Sequence, residues 1–132
     1  MNAKSNKFCT SFAEDGGFRG SGLRDYFEYR DLGIGTATQG RYHAQVIRAR
    51  QAVSGGMGRH YHTTDFQMVY VLKGWVKFVY EGEGEILFRP GDAVLQPPEI
   101  RHELIECSDN LELLEITSPA DFDTVELDAG KE

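Results

Sequence analysis

From residue 41 onward, apolar and polar positions alternate in short runs separated by turn formers. The runs are Tyr42–Ala49, Arg59–His62, Phe66–Lys73, Trp75–Tyr80, Glu85–Phe88, Ala93–Gln96, Arg101–Cys107 and Leu111–Thr117. Four to eight residues with a period near two is the mark of a β-strand. The breaks carry backbone-specific residues: Ser54-Gly55-Gly56-Met57-Gly58, Gly74, Arg89-Pro90-Gly91-Asp92, Pro97-Pro98 and Ser118-Pro119. The pattern predicts a hairpin of 75–80 with 85–88 over Glu81-Gly82-Glu83-Gly84. It predicts a second hairpin of 101–107 with 111–117 over Ser108-Asp109-Asn110. No stretch shows the 3.6-residue period of an amphipathic helix of ten residues or more.

Several runs are apolar on both faces. Phe66, Met68, Tyr70 and Leu72 lie on one side of their strand, with Gln67, Val69 and Val71 on the other. An antiparallel sheet with one wetted face would alternate cleanly. The expected fold is therefore all-β, a jelly-roll barrel with a filled lumen and an outer face covered by a second sheet or a second subunit. Residues 41–119 form this single barrel domain. Residues 1–40 are read as an irregular arm: 1–22 polar and Gly-rich, Arg24–Arg30 an edge strand or a segment exchanged between subunits, and Gly33–Gly40 a turn or one helical turn. Residues 120–132 read as an acidic, frayed tail.

Length and charge narrow the function classes. A chain of 132 residues and 14.8 kDa is one domain, large enough for a core without disulfide or metal staples. A net charge of −7 and a pI near 5.1 argue against a sequence-independent nucleic-acid binder and against adhesion to anionic lipid. Cys9 and Cys107 stand in unrelated contexts and read as free thiols of a reducing compartment. Without an apolar run near ~20 residues or a hydrophobic N-terminal core, the expected location is cytoplasmic, with no membrane partner.

The chemistry concentrates at Arg59–Gln67. His60 and His62 lie two residues apart on a strand, so they project the same way with Cα atoms roughly 6.5–7 Å apart, a spacing that suits two imidazoles on one ion. Thr63-Thr64-Asp65 are turn formers, and a turn there lets Gln67 face the lumen beside His62, with Val69 and Val71 deeper. His102 opens its own strand with Leu104 on its face. Spacing alone leaves two readings: a metal held by His60, His62, Gln67 and His102, or a polar lumen holding water or an organic ligand. His43 and Gln45, sharing a face of the preceding strand, are further ligand-contact candidates, together with Val69, Val71 and Leu104.

These residues carry a resemblance. The chain from Tyr42 to Pro119 resembles the cupin superfamily, whose first motif is a Gly-rich approach, His-x-His, a Glu and a later Gly. His60, His62 and Gly74 fit it, and Gln67 stands where the Glu would be. Gly91, Pro97 and His102 fit the second motif, in which Glu99 replaces the usual Gly and Glu106 the usual Asn. The resemblance implies a jelly-roll barrel of the RmlC-like type (a double-stranded β-helix), one divalent ion on His60, His62, Gln67 and His102, and a homodimer. Imidazole suits Zn, Cu, Fe and Ni alike, so the residues do not select the metal, and the expected ion is Zn, Fe, Ni, Mn or Cu. A neutral Gln in place of Glu leaves the ion's charge uncompensated by its ligands, which favours an anionic small-molecule ligand. Such cupins include dioxygenases, isomerases and cyclases as well as binders, and fold alone does not choose among them. The expected function is a metalloenzyme acting on a small oxygen-rich or aromatic molecule. A non-catalytic binding or sensing module and a barrel stabilised by its metal are the alternatives.

Overall fold

The structure, a computed structural model, describes residues 5–20 and 26–127. Two antiparallel sheets pack face to face as a jelly roll. The strands are β1 (Arg19–Gly20), β2 (Phe27–Asp31), β3 (His43–Ala49), β4 (His60–His62), β5 (Phe66–Lys73), β6 (Val76–Tyr80), β7 (Gly84–Phe88), β8 (Ala93–Leu95), β9 (His102–Cys107), β10 (Glu112–Ser118) and β11 (Thr124–Glu126). A single helical turn, α1 (Ile34–Ala37), follows β2. One sheet runs β1-β2-β3-β10-β5-β8 and the other β11-β4-β9-β6-β7. Among the described residues no helix is long and apolar enough to cross a membrane.

Inward-facing positions of the two sheets meet in one core. Phe27, Val69, Val71 and Leu113 come from the larger sheet, and Val76, Phe78, Tyr80, Phe88, Leu104 and Cys107 from the smaller. The period-two pattern of β5 is realised as Gln67, Val69 and Val71 buried, against Phe66, Tyr70 and Leu72 exposed at 39–41%. Among the described residues no second sheet covers this outer face, which leaves a second subunit as the expected cover.

The hairpin of 75–80 with 85–88 is present as β6–β7. The second expected hairpin is not. β9 lies between β4 and β6, and β10 between β3 and β5, so each has both edges occupied in a different sheet. Ser108 to Leu111 instead cross from one sheet to the other, with Leu111 fully buried at the crossing. Local alternation cannot distinguish this from a hairpin, because both need only a turn between two strands.

The tail also departs from expectation. Thr124–Glu126 pairs with His60–His62 and forms the edge of the smaller sheet. Residues 128–132, also assigned to the frayed tail, lie outside the described residues. In the N-terminal segment, β1 pairs with β2 and β2 with β3 of the same chain. The expectations for 1–4 and 21–25 fall outside the described residues. Gly33, in the left-handed region, starts α1, and the Thr38 hydroxyl donates to the Ile34 carbonyl to close it.

Candidate metal centre

His60 and His62 share a face of β4, and His102, the first residue of β9, pairs directly across from His60. Strand alternation and one cross-strand register thus bring together three imidazoles whose outermost members are 42 positions apart in the sequence. Their ring centroids lie 4.8 Å (His60–His62), 4.5 Å (His60–His102) and 5.0 Å (His62–His102) apart. One nitrogen from each ring falls within 4.8 Å of the others.

The opposite nitrogens are held. His60 Nδ1 is 3.0 Å from the Gly58 carbonyl oxygen and His102 Nδ1 is 2.9 Å from that of Ile100. A carbonyl only accepts, so both rings donate from Nδ1, and a neutral ring then keeps a bare lone pair on Nε2. His62 Nδ1 meets the Thr124 hydroxyl at 2.8 Å. Burial pushes the His102 pKa down to about 4; the Ile100 carbonyl opposes this and nearby His60 adds to it. His102 is therefore neutral at pH 7, the form a metal requires. Ring nitrogens fixed by backbone carbonyls are the usual support behind metal-binding histidines.

Gln67 is buried, and its amide Nε2 donates to Glu115 Oε2 at 2.9 Å. Gln45 Nε2 donates to the other carboxylate oxygen at 2.8 Å. All three residues line a cavity of ≈ 260 Å³ that also contains the three histidines. The remaining wall is largely apolar, including Ile47, Met57, Val69, Phe78, Leu104 and Leu113. Gln96 adds a polar group: its Oε1 is buried without a partner. Burial raises the pKa of the neighbouring Tyr80 hydroxyl, and a side-chain interaction with Gln96 lowers it. Phe122 closes one side, edge-on to His62 with centroids 5.5 Å apart.

Of the residues expected from sequence, His60, His62, Gln67 and His102 share the cavity, and Gln45, Val69 and Leu104 join them. Val71 is in the core, and neither it nor His43 is among the lining residues. The His43 Nδ1 lies 3.9 Å from where a Cβ on Gly35 would stand, beside α1. Sequence reasoning missed Glu115, Gln96, Phe122 and Thr124. Glu115 had a legible signal: it shares its strand face with Leu113 and Thr117, both buried. Phe122 and Thr124 lie past the last recognisable strand and gave none.

The donor set fits a divalent cation. One nitrogen from each of three imidazoles lies within reach of one point, and Gln67, its amide nitrogen donating to Glu115, keeps a carbonyl oxygen that could join them. The ligands themselves are neutral, but Glu115 puts a negative charge one hydrogen bond behind Gln67. A cation held there would have this carboxylate close behind its neutral ligands.

No curated protein sequence matches the chain. Solved structures do. KdgF from Halomonas sp. superposes with a TM-score of 0.67 at 17% identity, covering 83% of this chain and 94% of that one. The polyketide cyclase RemF from Streptomyces resistomycificus gives 0.63 at 17% identity, covering 87% and 76%. An RmlC-like cupin from Shewanella frigidimarina gives 0.63 at 19% identity, covering 88% and 95%. At these identities the likeness is one of fold. The cupin-domain family profile matches residues 48–117, more than half of the chain and both strands that carry the three clustered histidines, and this protein belongs to the cupin domain family.

Proposed function

We propose that this cupin is a metalloenzyme that holds one divalent ion on His60, His62, His102 and the Gln67 carbonyl and acts on a small oxygen-rich or aromatic molecule in the cavity. One observation carries the reading: three imidazoles, two with Nδ1 committed to backbone carbonyls, bring one ring nitrogen each within 4.8 Å of one another in the wall of a cavity. The ion would supply Lewis acidity to a bound oxygen. The chain's own residues supply the rest. The Met57, Phe78, Leu113 and Phe122 surfaces accept an apolar or aromatic body and exclude water. Elemental analysis of the purified protein with His62→Ala and Gln67→Ala tests the metal. About one ion per chain is expected in the wild type and a marked loss in both variants. No stoichiometric metal under any expression condition would sink the reading, and turnover assays over dioxygenase, isomerase and cyclase substrates test the catalysis.

One observation favours the second reading, binding without turnover. Glu115 is the one carboxylate among the described residues lining the cavity, and both its oxygens are taken by amides rather than free to move a proton. Metal and ligand binding with no turnover across those panels would select it.

We also infer that the functional unit is a homodimer. Phe66, Tyr70, Leu72 and Leu95 form an exposed apolar face on β5 and β8, of the kind that marks an interface. A two-fold contact through this face would give it the missing second layer.

A further inference from the structure

We propose that Glu115 is the positioning residue of the metal centre and acts through Gln67. This rests on the metal-binding reading above. A Gln side chain can present either its oxygen or its NH₂ to an ion. The two ends are nearly the same size, and the terminal torsion has two broad, similar wells, so packing alone does not choose between them. Only the oxygen end can bind a cation. A carboxylate accepts and never donates when ionised, so Glu115 takes the NH₂ end of Gln67 (Nε2 to Oε2, 2.9 Å) and leaves the carbonyl for the cavity.

Glu115 is itself held. Gln45 stands directly opposite it in the β3–β10 register and donates to its second oxygen at 2.8 Å. The three side chains thus form one hydrogen-bonded row across β3, β10 and β5, with the carboxylate pinned in the middle. A half-buried anion behind the amide also polarises it, concentrating negative charge on the outward-facing oxygen. The residues at 67 and 115 are coupled by this arrangement. With Glu115 in place, a Glu at 67 would set two carboxylates in contact, and one would be driven towards protonation. An amide at 67 carries the charge towards the ion without that conflict.

The test compares wild type, Glu115→Gln, and the exchanged pair Gln67→Glu with Glu115→Gln. Zn²⁺ affinity is measured by chelator competition, the ligand field by the visible spectrum of the Co²⁺-loaded protein, and folding by the metal-free melting temperature. Glu115→Gln is expected to bind Zn²⁺ about 10- to 100-fold more weakly. Its Co²⁺ bands should shift, and its metal-free melting temperature should stay close to wild type. The exchanged pair restores the hydrogen bond with reversed polarity and is expected to bind at least as tightly as wild type.

Unchanged affinity and an unchanged Co²⁺ spectrum in Glu115→Gln would overturn the inference while leaving the metal reading intact. An exchanged pair that binds no better than the single variant would do the same. If wild type binds no Zn²⁺ or Co²⁺, the metal reading fails and the inference with it. If Glu115→Gln does not fold, the exchanged pair decides by itself: binding at wild-type strength supports the role, and weaker binding overturns it.

Discussion

The Thr124 hydroxyl lies 2.8 Å from His62 Nδ1, so a three-residue strand near the end of the chain steadies one of the three imidazoles. His60 and His102 lean on backbone carbonyls of their own approach segments, which no side-chain substitution removes. His62 alone depends on a side chain from elsewhere. Thr124→Val keeps the shape and deletes the hydroxyl. It is expected to weaken metal affinity by about tenfold, the low end for such supports, while changing stability by no more than about 1 kcal/mol. Chelator competition and urea unfolding measure the two separately. Undiminished affinity would mean that Phe122 packing, not the hydroxyl, orients the ring.

The buried His102 makes the metal-free protein acid-sensitive. Its folded pKa, about 4, lies below the ordinary value of 6.5, so the folded state binds this proton less readily than the unfolded chain. Above pH 6.5 neither state is protonated there and the residue contributes no pH dependence. As pH falls from 6.5 towards 4 only the unfolded state gains the proton, and stability drops. At about 1.4 kcal/mol per unit, the loss between pH 7 and pH 5 is about 2 kcal/mol. Denaturation in excess chelator should show this slope in wild type and a shallower one in His102→Asn. Parallel slopes would refute the assignment to His102.

Gly74, the glycine of the first motif, has a steric reason for its identity. Its φ is +70°, and a Cβ there would meet Ser108 Oγ, Asn110 Oδ1 at 2.7 Å and the Leu111 Cα at 2.9 Å. The last is the backbone of Leu111, itself fully buried where the chain crosses between the sheets, and it has little room to shift. Gly74→Ala is expected to cost about 2–4 kcal/mol from left-handed strain and overpacking together. Urea unfolding measures it. A cost below 1 kcal/mol would show that the crossing can relax.

The two thiols should separate cleanly in solution. Cys107 is buried at 1% exposure in the core, and burial, aided by nearby Glu106 and opposed by a Val53 backbone hydrogen bond, pushes its pKa up to about 11. Cys9 is exposed. With a disulfide reagent at pH 8, one thiol per chain should react promptly and the second only at the rate of unfolding, becoming fast in denaturant. Cys9→Ser should abolish the prompt phase. Two prompt thiols in the native protein would contradict the packing around Cys107.

What the sequence made legible follows from the range of the interaction behind each feature. Alternation within a strand is local, so the faces of β5 and the shared direction of His60 and His62 could be read directly. The break at Thr63–Asp65 and the lumen position of Gln67 were also readable, but the break carries the chain from the smaller sheet to the larger and does not turn it back on β4. Sheet membership is not local. β9 and β10 look like a hairpin until their neighbours β4, β6, β3 and β5 are known, and the partners of Glu115 lie 48 and 70 residues away. Thr124–Glu126 carries almost no apolar signal, since an edge strand is held by backbone hydrogen bonds to β4 rather than by buried side chains. The site's core was therefore visible in the motif, while the groups that orient it emerged only with the tertiary pairing.

The outer face of the larger sheet sets the last expectation. Met68 pairs with Leu95 and Tyr70 with Ala93 across β5–β8, and Leu114 and Ile116 lie opposite Tyr70 and Met68 on β10. The apolar side chains therefore run across three adjacent strands, with the Lys73–Glu112 ion pair at one end of the patch. A two-fold contact would place each copy's apolar centre on the other's. Light scattering at micromolar concentration should give twice the 14.8 kDa chain mass. The double variant Tyr70→Lys with Leu95→Lys places like charges in the middle of that contact, where desolvation without a partner costs several kcal/mol. It should give a monomer that retains the wild-type circular dichroism, because both side chains point away from the core. A wild-type monomer at that concentration, or a dimer indifferent to both substitutions, would rule out this face as the interface.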